Sequence, residues 1–256
     1  VTTVEVQTSL GVVPVTGLPQ AFTGDKLVVL VITGAFAGPL EMSGAPTAFA
    51  PDFDAFVVHL PGYNTPALSE VSVEAFARAF DEVLAGFGRP AVAYGVSVGG
   101  LVALAMKSPL IRRKIVVDPP MWTHKLWPLL PGLREQYWPE HRTFLETIFG
   151  MQDKGGVSRR YYRLIDTLSV PADVVVAEEP LYPVREVPRL PSLVDDEDRA
   201  FMAKYPLVTL HVAPGAGHNV PHHAGLFLHD LAMRSCRAAA DARVDDSPPA
   251  EQSPGD

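Results

Sequence analysis

One cysteine in 256 residues, Cys236, leaves no partner for an internal disulfide. The fold must therefore stand on its apolar core, and nothing here requires an oxidising compartment. Cys236 falls in a helix-patterned stretch and reads as a packed thiol rather than a nucleophile. No apolar run approaches the ~18–20 residues of a membrane span, so no membrane span is expected. Basic residues are in deficit, 21 Lys and Arg against 29 Asp and Glu for a net charge of −8. They form only local clusters such as Arg112-Arg113-Lys114 and Arg159-Arg160, so no nucleic-acid partner is expected. The first twenty residues lack a cationic segment followed by an apolar stretch. No secretory leader is expected from them, and a cytoplasmic location is the default. No phosphate-cradling glycine pattern is present, since the glycines at 95–100 are followed neither by a P-loop lysine nor by an acid at dinucleotide spacing. No cofactor is expected. His222, His223 and His229 crowd together, but no carboxylate or cysteine completes a ligand set, and no metal is expected.

What is present is a chain 47% hydrophobic, long enough for one large core. Residues 4–7 and 12–16, separated by Leu10-Gly11, predict an opening hairpin. The β-branched run at 27–32 predicts a strand buried on both faces, and 56–60, stopped by Pro61-Gly62, predicts the next. Residues 73–87 carry apolar side chains at helical spacing (Val73, Phe76, Phe80, Val83, Leu84, Phe87), with acids and Arg78 opposite. Strands are predicted at 91–96, 114–117, 173–176 and 208–212, and a last amphipathic helix at 224–237. This alternation implies an α/β fold: a mostly parallel central sheet flanked by helices on both faces, with its chemistry at the carboxyl ends of the strands.

Residues 119–171 break the alternation. All three tryptophans lie there, among Met121, Tyr137, Phe144, Ile148 and Phe149 and other apolar residues, with helical stretches and no clear strand. The expected organisation is a core of residues 1–118 and 172–238 and a helical insertion at 119–171, with a disordered tail at 239–256 where Ala, Asp, Ser and Pro dominate. The insertion reads as a lid over an apolar pocket, with Trp122 and Trp127 as candidate walls. The competing reading is a segment that packs on its own aromatics.

The most informative stretch is Gly95-Val96-Ser97-Val98-Gly99, a buried strand that stops at a serine and passes at once into the helix-forming run 101–106. A serine in a tight strand-to-helix turn has a strained backbone. Only small residues two positions before and after let strand and helix pass so closely. The turn exposes the hydroxyl at a helix N-terminus, where free N–H groups favour developing negative charge. A hydroxyl needs a base within hydrogen-bond reach. Among eight histidines, His218 stands in the glycine-rich loop Gly215-Ala216-Gly217-His218 right after the last strand, placed to reach a serine at another strand's end. His211 lies inside that strand and reads as a core residue.

The order Gly-Val-Ser-Val-Gly, then an insertion, then Gly-Ala-Gly-His resembles the α/β-hydrolase superfamily across roughly residues 20–235. The resemblance implies Ser97 as nucleophile, His218 as general base, and the N–H of Val98 as one oxyanion donor. A second donor is expected from Thr33-Gly34-Ala35-Phe36-Ala37-Gly38, at the Ala35 or Phe36 N–H, although the His-Gly common in the family is missing there. The acid is open. The family usually has an aspartate just past the penultimate strand, where this chain reads Val176-Ala177-Glu178-Glu179-Pro180, so Glu179 is one candidate and Glu178 a lesser one. Some relatives take the acid after the preceding strand, here Val116-Val117-Asp118-Pro119-Pro120, which favours Asp118. His59-Leu60-Pro61-Gly62 resembles a family turn with its aspartate replaced by His59 and reads as structural. Asp195-Asp196-Glu197-Asp198 reads as a solvated helix start.

The implied activity is that of a serine hydrolase, carboxylesterase- or thioesterase-like. It would cleave an ester, thioester or related acyl bond of a small apolar substrate through an acyl-enzyme. Two alternatives stand beside it: an acyltransferase using the same acyl-enzyme, and a catalytically inactive member that binds a ligand.

Overall fold

Residues of strict β-branched character pack on both faces of a sheet, and the computed structural model of the chain shows how. It describes residues 1–138, 140–180 and 190–242, with only the backbone at 127–130. Eight strands form one sheet: β1 (Thr2–Thr8), β2 (Gly11–Gly17), β3 (Val28–Ile32), β4 (Asp54–Val58), β5 (Ala91–Val96), β6 (Ile111–Val117), β7 (Ala172–Ala177) and β8 (Val208–Ala213). Their spatial order is β1-β2-β4-β3-β5-β6-β7-β8. The opening hairpin pairs antiparallel to β4 through β2, and all pairings from β4 to β8 are parallel.

Strand periodicity divides the core in two. On β3, Val28, Leu30 and Ile32 join one apolar cluster, and Val29 and Val31 join the other. All five are fully buried, so helices must cover both faces. The first face is covered by α2 (Val73–Phe87) and α3 (Val98–Ala105), after the short α1 (Ala45–Phe49) on the other face. Helix α2 has the bounds its periodicity predicts. The Ser72 hydroxyl accepts from the Ala75 N–H at 2.9 Å, and Gly88 closes the helix in the left-handed region with φ 64°, each satisfying otherwise orphaned backbone groups.

The insertion is helical: a 3₁₀ segment (Thr123–Leu129), α4 (Leu130–Tyr137), α5 (Arg142–Phe144) running into a π-helical turn (Leu145–Phe149), and α6 (Arg163–Asp166). After β7 come α7 (Asp196–Met202), then α8 (Val220–His223) and α9 (Gly225–Asp241) following β8. Helix α9 outruns its expected end at 237. Ala239, expected in the tail, is buried on its inner face, because the apolar stripe continues one turn further than the sequence pattern suggests. The rest of the expected tail, 243–256, lies outside the described residues. Among the described residues no helix is long and apolar enough to cross a membrane.

Two buried charges show how the interior handles ions. Lys114 on β6 donates to the Leu104 and Met106 carbonyls at 2.7 and 2.8 Å, capping the end of α3. Burial pushes its ammonium down to about 8, opposed by the charge of Asp81. Asp173 on β7 accepts from Arg113 Nε at 2.6 Å and Ser235 Oγ at 2.7 Å, and pairs with His211 Nε2 at 2.9 Å. His211 thus serves the sheet's packing, as its position inside β8 suggests.

Candidate active site

In a parallel sheet the loops leaving adjacent strands in opposite directions open a crevice, and here that point lies between β3 and β5. The loop after β3 is Thr33-Gly34-Ala35-Phe36, and the residue after β5 is Ser97. Ser97 has φ 55° and ψ −120°, a strained conformation for a residue with a side chain. The flanking glycines explain how the turn is tolerated. A Cβ on Gly95 would sit 2.1 Å from the Gly99 carbonyl oxygen, and one on Gly99 would sit 2.4 Å from that of Thr33. No other residue fits at either position. Ser97 leads directly into α3, whose first residue is Val98, so the Val98 N–H belongs to the helix's unpaired first turn.

His218 follows β8. Its Nδ1 lies 2.6 Å from Oδ2 of Asp118, which follows β6. Asp118 is fully buried and its own backbone is in the left-handed region, φ 47°. The Asp118 N–H donates to the Val175 carbonyl at 2.7 Å. The carboxylate also accepts from the Ala177 N–H at 3.2 Å, the Leu193 N–H at 2.8 Å and the Ser192 hydroxyl. Shut away from water, the carboxylate finds its hydrogen-bond partners in these donors instead.

Ser97 and His218 line one cavity of about 370 Å³, together with Ala35 and Phe36 of the β3 loop, Leu126, Gly132, Leu133 and Phe149 of the insertion, and Leu190 and Leu193 before α7. A concave, apolar chamber with few polar groups is the usual form of a small-molecule site.

A profile of the alpha/beta hydrolase family matches residues 28–229, the span from β3 into α9 that carries every loop just described. The chain belongs to the alpha/beta hydrolase family. Membership supports its being a hydrolase enzyme. No curated protein matches the sequence, but solved structures do. A thermophilic esterase from Thermogutta terrifontis is 16% identical with TM-score 0.65, covering 94% of this chain and 100% of the other. Carboxylesterase CesB from Bacillus subtilis is 14% identical with TM-score 0.67, covering 91% and 90%. A proline iminopeptidase from Mycobacterium smegmatis is 12% identical with TM-score 0.64, covering 91% and 99%. At such identities the likeness is one of fold, shared by enzymes of different substrates.

Within this hydrolase the sequence candidates separate. Glu179 is exposed, and its carbonyl accepts from the Ser192 N–H at 2.8 Å, whereas the His218 ring nitrogen is engaged by Asp118. Glu178 accepts from the Gly215 N–H at 2.8 Å and braces the histidine loop. Trp122 is not among the cavity's walls, contrary to expectation. Its indole donates to Ser158 Oγ at 2.6 Å, and the Arg160 guanidinium carbon lies 4.1 Å from its ring centroid. Those contacts hold the ring away from the cavity lining. The side chain of Trp127 lies outside the described residues.

Phe36, expected only as a backbone donor, has a second role. It takes φ 56°, and its ring stacks on Tyr137 of α4 with centroids 3.9 Å apart and planes 8° from parallel. Tyr63 and Phe144 complete the cluster, 5.6 and 5.3 Å from Phe36. The strained loop beside Ser97 is thus pinned to the insertion. His59 sits behind the same loop, its Nδ1 3.2 Å from the Thr33 hydroxyl. Burial pushes its pKa below that of an ordinary histidine, with Glu41 acting in the opposite sense.

The acidic run 195–198 departs from its solvated reading. Asp195 and Asp198 are buried, joined in a reciprocal cap of α7, and Lys125 lies 2.7 and 3.2 Å from them. Four consecutive acids look solvated in one dimension, and nothing in their spacing announces a lysine seventy residues earlier.

Proposed function

We propose that this hydrolase is a serine esterase or thioesterase that cleaves a small, apolar acyl group through a covalent acyl-enzyme, with Ser97, His218 and Asp118 as its triad. One observation carries the reading: a serine on a strained strand-to-helix elbow and a histidine bonded to a buried carboxylate open onto the same apolar cavity.

The acyl chain lies among Leu126, Leu133, Phe149 and Leu193, which makes residues 119–171 a lid. None of the described cavity walls is a carboxylate, lysine or arginine, so a charged acyl group would be desolvated without a partner, which is costly. His218 Nε2 takes the proton of the Ser97 hydroxyl as Oγ bonds to the carbonyl carbon. The carbonyl electrons move to oxygen, and that oxyanion accepts from the Val98 N–H and from the Ala35 or Phe36 N–H. Such donors are each worth roughly 10²–10³ in turnover. Asp118 keeps the proton on Nδ1, leaving Nε2 free as base, and stabilises the imidazolium that forms. Collapse of the intermediate breaks the bond to the alkoxide or thiolate, which takes the proton from His218. Water then loses a proton to His218 as its oxygen bonds to the acyl carbon. The second intermediate breaks the bond to Oγ, which takes that proton back as the acid leaves.

A fluorophosphonate probe tests this directly. The wild-type protein is expected to label stoichiometrically and Ser97→Ala not at all. A folded wild type that resists the probe and turns over no acyl-nitrophenyl ester or acyl-thioester would overturn the reading, and would favour an inactive ligand-binding member.

A further inference from the structure

An acid placed after β6 must reach across β7 to a histidine after β8, and something must hold its carboxylate at that angle. We propose that Ser192 is a positioning residue for catalysis: with the Leu193 N–H it clamps the Asp118 carboxylate so that Oδ2 is presented to His218 Nδ1. This rests on the triad assigned above.

Ser192 is fully buried, and a buried hydroxyl has few partners from which to choose. Its Oγ donates to Asp118 Oδ1 and accepts from the Val194 N–H at 3.0 Å, so its own orientation is fixed. The two carboxylate oxygens are thereby distinguished. Oδ1 takes Ser192 and the Ala177 N–H; Oδ2 takes the Leu193 N–H and His218. With both lone-pair directions of Oδ1 occupied, rotation about the Asp118 Cβ–Cγ bond would break at least three hydrogen bonds together. Leu193 also lines the cavity, so one short strap touches both the substrate chamber and the acid.

The strap is anchored at both ends. The Ser192 N–H donates to the Glu179 carbonyl at 2.8 Å, tying it to the end of β7. At the other end Asp195 and Asp198 hold Lys125, and Tyr162 donates to Asp198. Lys125 lies next to Leu126, another cavity wall, on the insertion. Burial opposes its charge, but the bonds and charges of Asp195 and Asp198 outweigh that and hold its pKa above that of an ordinary lysine. The ammonium therefore stays charged, and the strap stays fastened to the lid.

The experiment compares wild type with Ser192→Ala, Ser192→Cys and Val194→Ala. Val194 is equally buried in the same strap but sends no side-chain bond to Asp118, so its variant reports on packing alone. Turnover of an activated short-chain ester and the low-field NMR signal of the proton shared by His218 and Asp118 are read on each. Ser192→Ala is expected to lose about 10-fold or more in kcat with KM within 2-fold, matching one charge-assisted bond. Its low-field proton should broaden or vanish, Ser192→Cys should fall between, and Val194→Ala should lower the melting temperature while keeping both kcat and the signal. Unchanged kcat and an unchanged proton signal in Ser192→Ala would overturn the proposal, as would equal losses in Val194→Ala. A wild type without turnover would defeat the serine-hydrolase reading instead, while the NMR signal would still report whether Ser192 orients the pair.

Discussion

His218 and Asp118, one hundred residues apart in the chain, meet with Nδ1 and Oδ2 at 2.6 Å. Each sits at the carboxyl end of a parallel strand, and β7 lies between those two strands. The contact supports Asp118 as the acid of the proposed chemistry, and it yields the most discriminating mutation.

Asp118→Asn keeps the shape of the side chain but favours the wrong imidazole tautomer. Turnover of a nitrophenyl ester is expected to fall by roughly 10⁴-fold, the scale known for a triad acid. Glu179→Gln should stay within a few fold of wild type. A large loss in the second variant and a small one in the first would reverse the assignment.

Ala in place of Gly99 has no room, since its Cβ would meet the Thr33 carbonyl oxygen at 2.4 Å. Overpacking against backbone cannot be relieved by a rotamer change, and the expected cost is about 3 kcal/mol or more. Chemical denaturation of Gly99→Ala against wild type measures it. Gly38→Ala, where an added Cβ meets nothing within 4 Å, is the control and should unfold with the wild-type midpoint.

The stack of Phe36 on Tyr137 should matter to catalysis because it pins the loop proposed to supply the second oxyanion donor. An aromatic pair is worth roughly 0.5–1.5 kcal/mol beyond area burial, which corresponds to a loss of about 2- to 12-fold. Tyr137→Ala is expected to lose kcat/KM on that scale and Tyr137→Phe to retain it. Steady-state kinetics on one ester suffices, and equal activity of all three proteins would show the loop to be self-supporting.

Acyl-chain length offers a test of the chamber itself. Leu133 lines the cavity from the insertion, and Leu133→Trp would fill part of its roughly 370 Å³. The ratio of octanoyl to acetyl ester turnover is expected to fall about 10-fold or more, with acetyl turnover nearly unchanged. An unchanged ratio would place the acyl chain elsewhere.

Acid stability should depend on Asp173. Burial disfavours its charge, but the hydrogen bonds from His211, Arg113 and Ser235 and the Arg113 charge outweigh this and hold its carboxyl well below the usual range. A depressed carboxylate contributes stability that is complete above its unfolded value near ~3.9 and fades as pH falls towards the folded one. Asp173→Asn is therefore expected to be less stable by about 2 kcal/mol at pH 7, with the gap to wild type narrowing below about pH 4. Urea unfolding at several pH values measures it, and a gap independent of pH would exclude the linkage.

Local patterning carried most of the architecture. The apolar runs at β3 to β8 and the capped periodicity of α2 are short-range signals, and the glycines around Ser97 encode a backbone that only one kind of turn can adopt. His218 was legible because glycines and a preceding strand mark its loop. Trp122 misled because aromatic content does not reveal what a ring packs against; its contacts with Ser158 and Arg160 decided that. Ser192, Lys125 and the ring of Phe36 carried no local signal, since each acts through a partner far away in sequence.

The sequence by itself thus determined the parallel sheet, the serine elbow and the histidine loop, because each depends on contacts within a few residues and on the spacing of apolar side chains. Only the tertiary structure decided that Asp118 rather than Glu179 reaches His218, which walls enclose the cavity, and what holds the acid in place. Those outcomes depend on strand order and on how loops from separate strands converge at one edge of the sheet. That convergence is a property of the assembled layers, and no single stretch of the chain contains it.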